Sequence, residues 1–314
     1  MNKNKLVEVL KIQSYSYDQY LMFVYIIRQI KKINCSYYTD NGNIYITKGN
    51  GKKYPCIVAH MDTVHPIVED LTVVELNGNL TGFNAVTMEQ TGIGGDDKVG
   101  IFIALQCLEK FDNIKIAFFR DEEVGCEGSY CADVDFFNNC NIVLQCDRRG
   151  NNDFINNASG VDLSSKDFQK EILPILKNYN YRFFNGAMTD VMALKQQGIK
   201  ASMANISCGY YNPHQSNEYV NILDVTNCLN LVYSIIEITS NKSFEHKYIE
   251  KPIYQKFDFN FKTSKEVLKH EDDFFNGRAK SIFDDCCESC GEIAPLTFKQ
   301  DYQMNICNNC SNWF

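Results

Sequence analysis

No run of eighteen apolar residues occurs anywhere in this 314-residue chain, so no membrane-spanning helix is expected. The lysines of the opening MNKNKLVEVLKIQ are not followed by an apolar h-region, so no secretory signal is read there and a cytoplasmic location is expected. Basic residues are outnumbered, 31 Lys and Arg against 39 Asp and Glu. The formal charge of −8 argues against a nucleic-acid partner, which needs a basic face. Internal repeats and low-complexity tracts are also absent. What remains is an ordinary soluble composition, 45% apolar and 22% charged, enough to build a sizeable core.

Cysteine is the residue in surplus. Nine of the 14 are scattered from Cys35 to Cys228, and five crowd into residues 286–314. In a reducing compartment such residues are small buried hydrophobes, or metal ligands where the spacing is right.

Hydrophobic patterning divides the first 240 residues into alternating elements. Residues 5–33 read as helical with a polar break at Ser14 to Asp18, and Asn41-Gly42 and Asn77-Gly78-Asn79 mark two hairpins. Strands are expected at 56–59, 114–119, 141–145 and 201–206, and helices at 99–108, 168–176, 191–196 and 222–238. Strands separated by helices predict a three-layer α/β/α sandwich with a mixed, mainly parallel central sheet. In such sheets ligands gather at the carboxyl ends of the strands. His60, the acids Asp121 to Glu123, and Asp147 all follow a predicted strand directly.

Those residues suggest metal chemistry. In His60-Met61-Asp62 an imidazole and a carboxylate two apart share one side of a strand end, as a ligand and its orienting partner would. Glycines precede Asp96-Asp97 in GIGGDDKVG, which suits a tight loop entering a helix; either aspartate can cap that helix while ligating. Glu122 and Glu123 are adjacent acids at a turn. A hydrolase that uses metal-activated water needs one acid to hold the metal and another to take the proton. Asp147 follows the apolar run IVLQC, and His214 lies in the turn-rich loop YNPHQSNEY.

The order His-x-Asp, Asp-Asp-Lys, Glu-Glu, Asp, His resembles the co-catalytic metallopeptidase clan that includes peptidase T, aminoacylase and the lidless aminopeptidases. The resemblance spans about residues 55–240 and rests on GIGGDDKVG, DEEVG, the GAMTD of Gly186 to Asp190, and NPHQSNEY. It implies two divalent metal ions, Zn²⁺ or alternatively Mn²⁺ or Co²⁺, acting on a peptide substrate. His60, Asp96 and Asp147 would hold one ion and Asp96, Glu123 and His214 the other. The clan's bridging residue lies two before the Lys position, which selects Asp96 over Asp97. Glu122 would be the general base and later the proton donor, and Asp62 would orient His60. The peptide bond after the bridging Asp is commonly cis in the clan. Many members insert a lid or dimerisation domain between the equivalents of Asp147 and His214; the stretch here is too short for one. This favours an aminopeptidase, with Asp190 and Glu218 as candidates to meet the substrate amine. An amidohydrolase acting on N-acyl amino acids, and a non-catalytic scaffold, are the competing readings.

The tail differs in texture. Residues 241–285 read as a linker or extension, and 286–314 as a separate module. Cys287-x-x-Cys290 and Cys307-x-x-Cys310 have the spacing of a four-thiolate structural zinc site, a zinc ribbon, with Cys286 as an alternative to Cys287. Lys299 is the module's only basic residue, which favours contact with a protein partner or packing within the chain over nucleic acid.

Overall fold

The computed structural model describes residues 1–240 and 242–248 together with the backbone of two short strands at 296–299 and 304–307. The chain forms two compact units, Met1–Tyr248 and Ile249–Phe314. In the first unit the elements run α1 (Lys3–Leu10), α2 (Tyr20–Ile30), β1 (Ser36–Asp40), β2 (Asn43–Lys48), β3 (Tyr54–His60), β4 (Leu71–Leu76), β5 (Asn79–Asn84), β6 (Gln90–Thr91), α3 (Gly95–Lys110) and β7 (Ile114–Phe119). They continue with α4 (Glu127–Tyr130), β8 (Cys140–Arg148), β9 (Asp153–Ala158), β10 (Val161–Asp162), α5 (Lys166–Asn178), β11 (Arg182–Gly186), α6 (Asp190–Gln196), β12 (Ser202–Ser207), β13 (Tyr210–Tyr211), β14 (Tyr219–Asn221) and α7 (Ile222–Thr239). In the second unit β15 (Leu296–Lys299) pairs antiparallel with β16 (Met304–Cys307). The predicted thiolates Cys287, Cys290 and Cys310 lie outside the described residues, as does the side chain of Cys307.

The first unit is built on a nine-stranded sheet ordered β1-β2-β7-β3-β8-β12-β9-β10, with β11 added beside β9. Its centre, β7-β3-β8-β12, is parallel, and the flanking pairs β2–β7 and β12–β9 are antiparallel. The mixed, mainly parallel sheet expected from the alternating pattern is therefore present. Side chains on successive strand residues leave by opposite faces. On β3, Ile57 and Ala59 enter a core shared with α1, α2, α3, α5 and α7, while Cys56 and Val58 enter a second core with α6 and Phe136–Phe137. Both cores are closed to solvent, and each fully buried Val, Leu, Ile or Phe contributes about 1.5–3 kcal/mol. α7 is 18 residues long and apolar, but Val225, Cys228, Leu229, Val232, Ile235 and Ile236 pack it into the first core. All nine described cysteines are unbridged, and six of them are core residues with no exposure.

Local chemistry fixes the connections. At Asn41-Gly42 both residues have positive φ (49° and 79°), as do Asn77-Gly78 (50° and 81°), which is the backbone a two-residue hairpin turn of the right twist requires. The Asn221 side chain accepts from Leu223 N and Asp224 N and starts α7. Between Asp147 and His214 the chain supplies only sheet strands, α5 and α6, so no lid domain is inserted there.

A small antiparallel sheet, β13-β14-β5-β4 with β6 beside β5, carries the loop 212–218 at one end. Residues 242–248 continue the compact unit past α7. Phe244 is buried against Phe168 (ring centroids 5.4 Å apart), Ser202 N donates to Phe244 O, and Lys195 Nζ donates to His246 O.

Candidate metal centre

The registers align the carboxyl ends of the parallel strands. His60 pairs with Phe119 across β3–β7, and Gln145 faces Val58 on one side and Asn205 on the other. The residues just beyond these ends therefore emerge at one edge of the sheet.

His60 and Asp62 have no exposure. His60 Nδ1 lies 3.0 Å from the backbone carbonyl of Asp62 and 3.4 Å from its Oδ1. Nδ1–H thus donates to residue 62, chiefly to its main chain, and Nε2 faces Asp96 Oδ1 (3.2 Å) and Asp147 Oδ1 (3.6 Å). The Asp62 carboxylate reaches further than its expected role. It accepts from Ser16 Oγ (2.8 Å), Glu122 N (2.9 Å) and Glu123 N (3.3 Å), and so anchors the loop that bears both glutamates.

Asp96 opens α3 through a cis peptide bond to Asp97. The two neighbours divide their tasks. Asp97 is buried and accepts from His60 N (3.2 Å) and Gly100 N (3.0 Å), which makes it the helix cap. Asp96 turns toward the histidines, with Oδ1 to His60 and Oδ2 3.5 Å from His214 Nε2. His214, half-exposed and at a positive φ of 64°, also meets Glu123 Oε2 at 3.1 Å. Asp147 is held by Gln145 Nε2 (3.0 Å) and Tyr210 OH (3.3 Å), while Asn205 bonds its backbone on both sides.

Two ligand groups result, His60/Asp96/Asp147 and Asp96/Glu123/His214, each with its donor atoms within 4.8 Å of one another, and they share Asp96. Glu122 stands beside them, Oε2 3.9 Å from His60 Nε2 and Oε1 accepting from Cys126 Sγ (3.4 Å).

The electrostatics are unbalanced. Burial, then repulsion from Asp96, pushes the Asp147 carboxyl well above the usual range. Burial, opposed by His60 but reinforced by Asp147 and Asp190, does the same to Glu122. Burial opposes a charge on Asp96 too, yet bonds from His214 and His60 outweigh it and hold its pKa low. Bonds to Asp96 and Glu123 lift His214 to about 10. Burial disfavours a charged His60, but Asp147, Asp62 and Asp96 together raise it well above the ordinary imidazole value. Two imidazoles thus face a larger set of crowded carboxylates, and the buried Glu123 Oε1 has no hydrogen-bond partner among the described residues. Added positive charge, of the kind a divalent cation supplies, would balance such a cluster.

Two candidates belong to neither group. Asp190 is buried at the start of α6 and accepts from Gln145 Nε2 (3.1 Å); burial raises its carboxyl to about 6. Glu218 is also buried, and both its oxygens face the backbone of the glycine loop, not the opening. Sequence reading missed Cys126, Gln145, Asn205, Tyr210 and His65. Only Gln145 and Asn205 carried a usable signal, as polar residues inside otherwise apolar strands.

No family model matches the chain, and no curated protein matches it in sequence. Solved structures do. The aminopeptidase PepT of Bacillus cereus superposes with a TM-score of 0.62 at 13% identity, and a tripeptidase of Staphylococcus aureus with 0.62 at 12%; each match covers 76% of this chain and 98% of the other. An aminopeptidase of the archaeon Desulfurococcus kamchatkensis gives 0.57 at 15%, over 75% and 95%. At these identities the likeness establishes the fold.

Proposed function

We propose that this protein is a metal-dependent exopeptidase, an aminopeptidase or small-peptide peptidase, that works with two divalent cations. The observation that supports it is the pair of ligand groups sharing Asp96 inside a cluster of buried, mutually repelling carboxylates. His60, Asp96 and Asp147 would hold one cation, and Asp96, Glu123 and His214 the other. Ligation by oxygen and nitrogen alone suits Zn²⁺, with Mn²⁺ or Co²⁺ as alternatives. When bound, the cations would polarise the scissile carbonyl and lower the pKa of the attacking water.

The chain's own residues do the rest. Glu122 takes the proton from the attacking water as oxygen adds to the carbonyl carbon, and returns it to the amine as the C–N bond breaks. Asp62 fixes Glu122 through the backbone N–H, and Cys126 occupies Glu122 Oε1, leaving Oε2 toward the centre. Among the described residues no lid domain stands over the centre to grip a substrate carboxylate, which favours the free amine as the substrate's handle, drawn by the excess of acids. In this reading the compact unit Met1–Tyr248 is the catalytic domain, the chain from there to 285 a linker or extension, and 286–314 a Cys287/Cys290/Cys307/Cys310 zinc module that meets a protein partner.

Glu122→Gln tests the reading. The variant is expected to fold and to hold its metal, while turnover of free-amine peptides falls by about 10²–10⁴-fold. Turnover within threefold of wild type would remove Glu122 as the base. Faster cleavage of N-blocked than free-amine substrates by the wild type would make the protein a deacylase.

A further inference from the structure

His65 and Glu218 form a buried pair that neither ligand group includes. Glu218 Oε2 lies 2.7 Å from His65 Nε2 and accepts from Gly94 N at 2.6 Å, while Oε1 faces Asp96 N at 3.3 Å. The Glu218 side chain has no exposure, and that of His65 has 13%. Each contact joins a different ligand-bearing segment. His65 follows His60 and Asp62 on the chain, Gly94 and Asp96 open α3, and Glu218 shares the β13–β14 loop with His214.

The glycine run is shaped to admit this pair. A Cβ on Gly92 would fall 1.9 Å from His65 Cε1, inside the imidazole. A Cβ on Gly95 would lie 3.3 Å from Glu218 Oε1 and only 2.7 Å from Tyr210 Cβ. Lys98 adds to the clamp: its ammonium donates to Ile93 O (2.9 Å) and Leu10 O (3.3 Å), with burial lowering its pKa to about 8 against the opposing pull of Glu218. The loop backbone is therefore gripped from both sides of Asp96.

We propose that His65 and Glu218 are positioning residues that fix the Asp96 carboxylate against His214, and so govern retention of the second cation rather than capture of the substrate amine. The inference rests on the reading of Asp96 as a shared ligand. Its reasoning is mechanical. His60 and Asp147 are anchored independently, by residue 62 and by Asn205, so the first site keeps two fixed ligands when the pair is cut. The second site has only Glu123 and the half-exposed His214 besides Asp96. Loosening Asp96 relative to the His214 loop strikes that site hardest.

The test uses the full chain, stripped with a chelator and titrated with Mn²⁺, with free Mn²⁺ counted by electron paramagnetic resonance. Mn²⁺ avoids thiolate sites. Wild type is expected to take up two ions. His65→Ala and Glu218→Ala should keep the first within about threefold and weaken the second about 10–100-fold, as loss of an outer-sphere partner does. His65→Gln, which restores an N–H donor, should recover part of the loss. At saturating Mn²⁺ the KM for a free-amine tripeptide should stay within about twofold of wild type. Unchanged Mn²⁺ binding in both alanine variants overturns the proposal, as does a raised KM with normal metal binding, which would return Glu218 to the substrate. Should Glu218→Ala fail to fold, the two His65 variants decide. Wild type that binds no pair of Mn²⁺ ions would instead refute the two-cation reading itself.

Discussion

Asp62→Asn is the most demanding perturbation of the centre, because it keeps size and removes only charge and one acceptor. In the native protein Oδ1 accepts from Glu122 N and faces His60 Nδ1, while Oδ2 accepts from Ser16 Oγ and Glu123 N. An amide has one oxygen. Turned one way, its NH₂ meets Glu122 N and His60 Nδ1; turned the other, it meets Glu123 N, while the Ser16 hydroxyl can reverse and accept. At least one charge-assisted bond from a backbone N–H is lost, at about 1.5–3 kcal/mol. The expected destabilisation is therefore about 1.5–3 kcal/mol, against the roughly 5–15 kcal/mol that holds a domain folded. Urea unfolding in chelator, where no bound cation masks the change, reads this directly as a shift in midpoint at unchanged slope. The same variant should bind its first cation about 10–100-fold more weakly, since His60 and the Glu122–Glu123 loop lose a common anchor. A destabilisation below about 1 kcal/mol would show that Asp62 is not the anchor its contacts imply.

Three further outcomes are expected. In chelator, His214 has a folded pKa near 10, above its unfolded value, so its ion pairs stabilise fully below about pH 6.5 and are lost as pH rises through 10. His214→Ala should then cost more stability at pH 6 than at pH 10.5, by thermal melts; half-exposure keeps the effect modest. Asp190 has a folded pKa raised to about 6, so the unfolded chain ionises first and stability falls as pH rises from about 4 to 6. Asp190→Asn keeps an acceptor for Gln145 and should stabilise the metal-free protein at pH 8 by up to about 3 kcal/mol, with no gain at pH 3.5; equal melting at both pH values would contradict it. If Cys287, Cys290, Cys307 and Cys310 hold zinc, one zinc per chain should resist a chelator that strips the catalytic centre and be released by a thiol-blocking mercurial, measured by elemental analysis.

Legibility in the sequence followed local chemistry. β3, β7, β8 and β12 were readable because each carries a mostly apolar stretch buried on both faces, and the two hairpins because Asn-Gly demands its turn. β9 and β11 were not, since DFINNA and RFFNG mix asparagine and glycine into partly exposed strands whose pairing, not propensity, makes them strands. The candidate ligand set, with Asp96 chosen over Asp97, could be ordered along the chain only by resemblance; the physical reason for that choice is geometric, with Asp97 spent on Gly100 and His60 N. The His65–Glu218 contact joins positions 153 apart and leaves no spacing to read.

Residues 242–248 bear on where the chain can be cut. Phe244 shields Phe168, the backbone of Ser202 is satisfied by Phe244 O, and Lys195 delivers its third bond to His246 O. A protein shortened to end at Ser240, the boundary that composition suggests, would bare an aromatic ring and strand a buried ammonium one acceptor short. A protein shortened after Tyr248 keeps both, so residues 241–248 mark the difference between a fragment that closes its own core and one prone to aggregate.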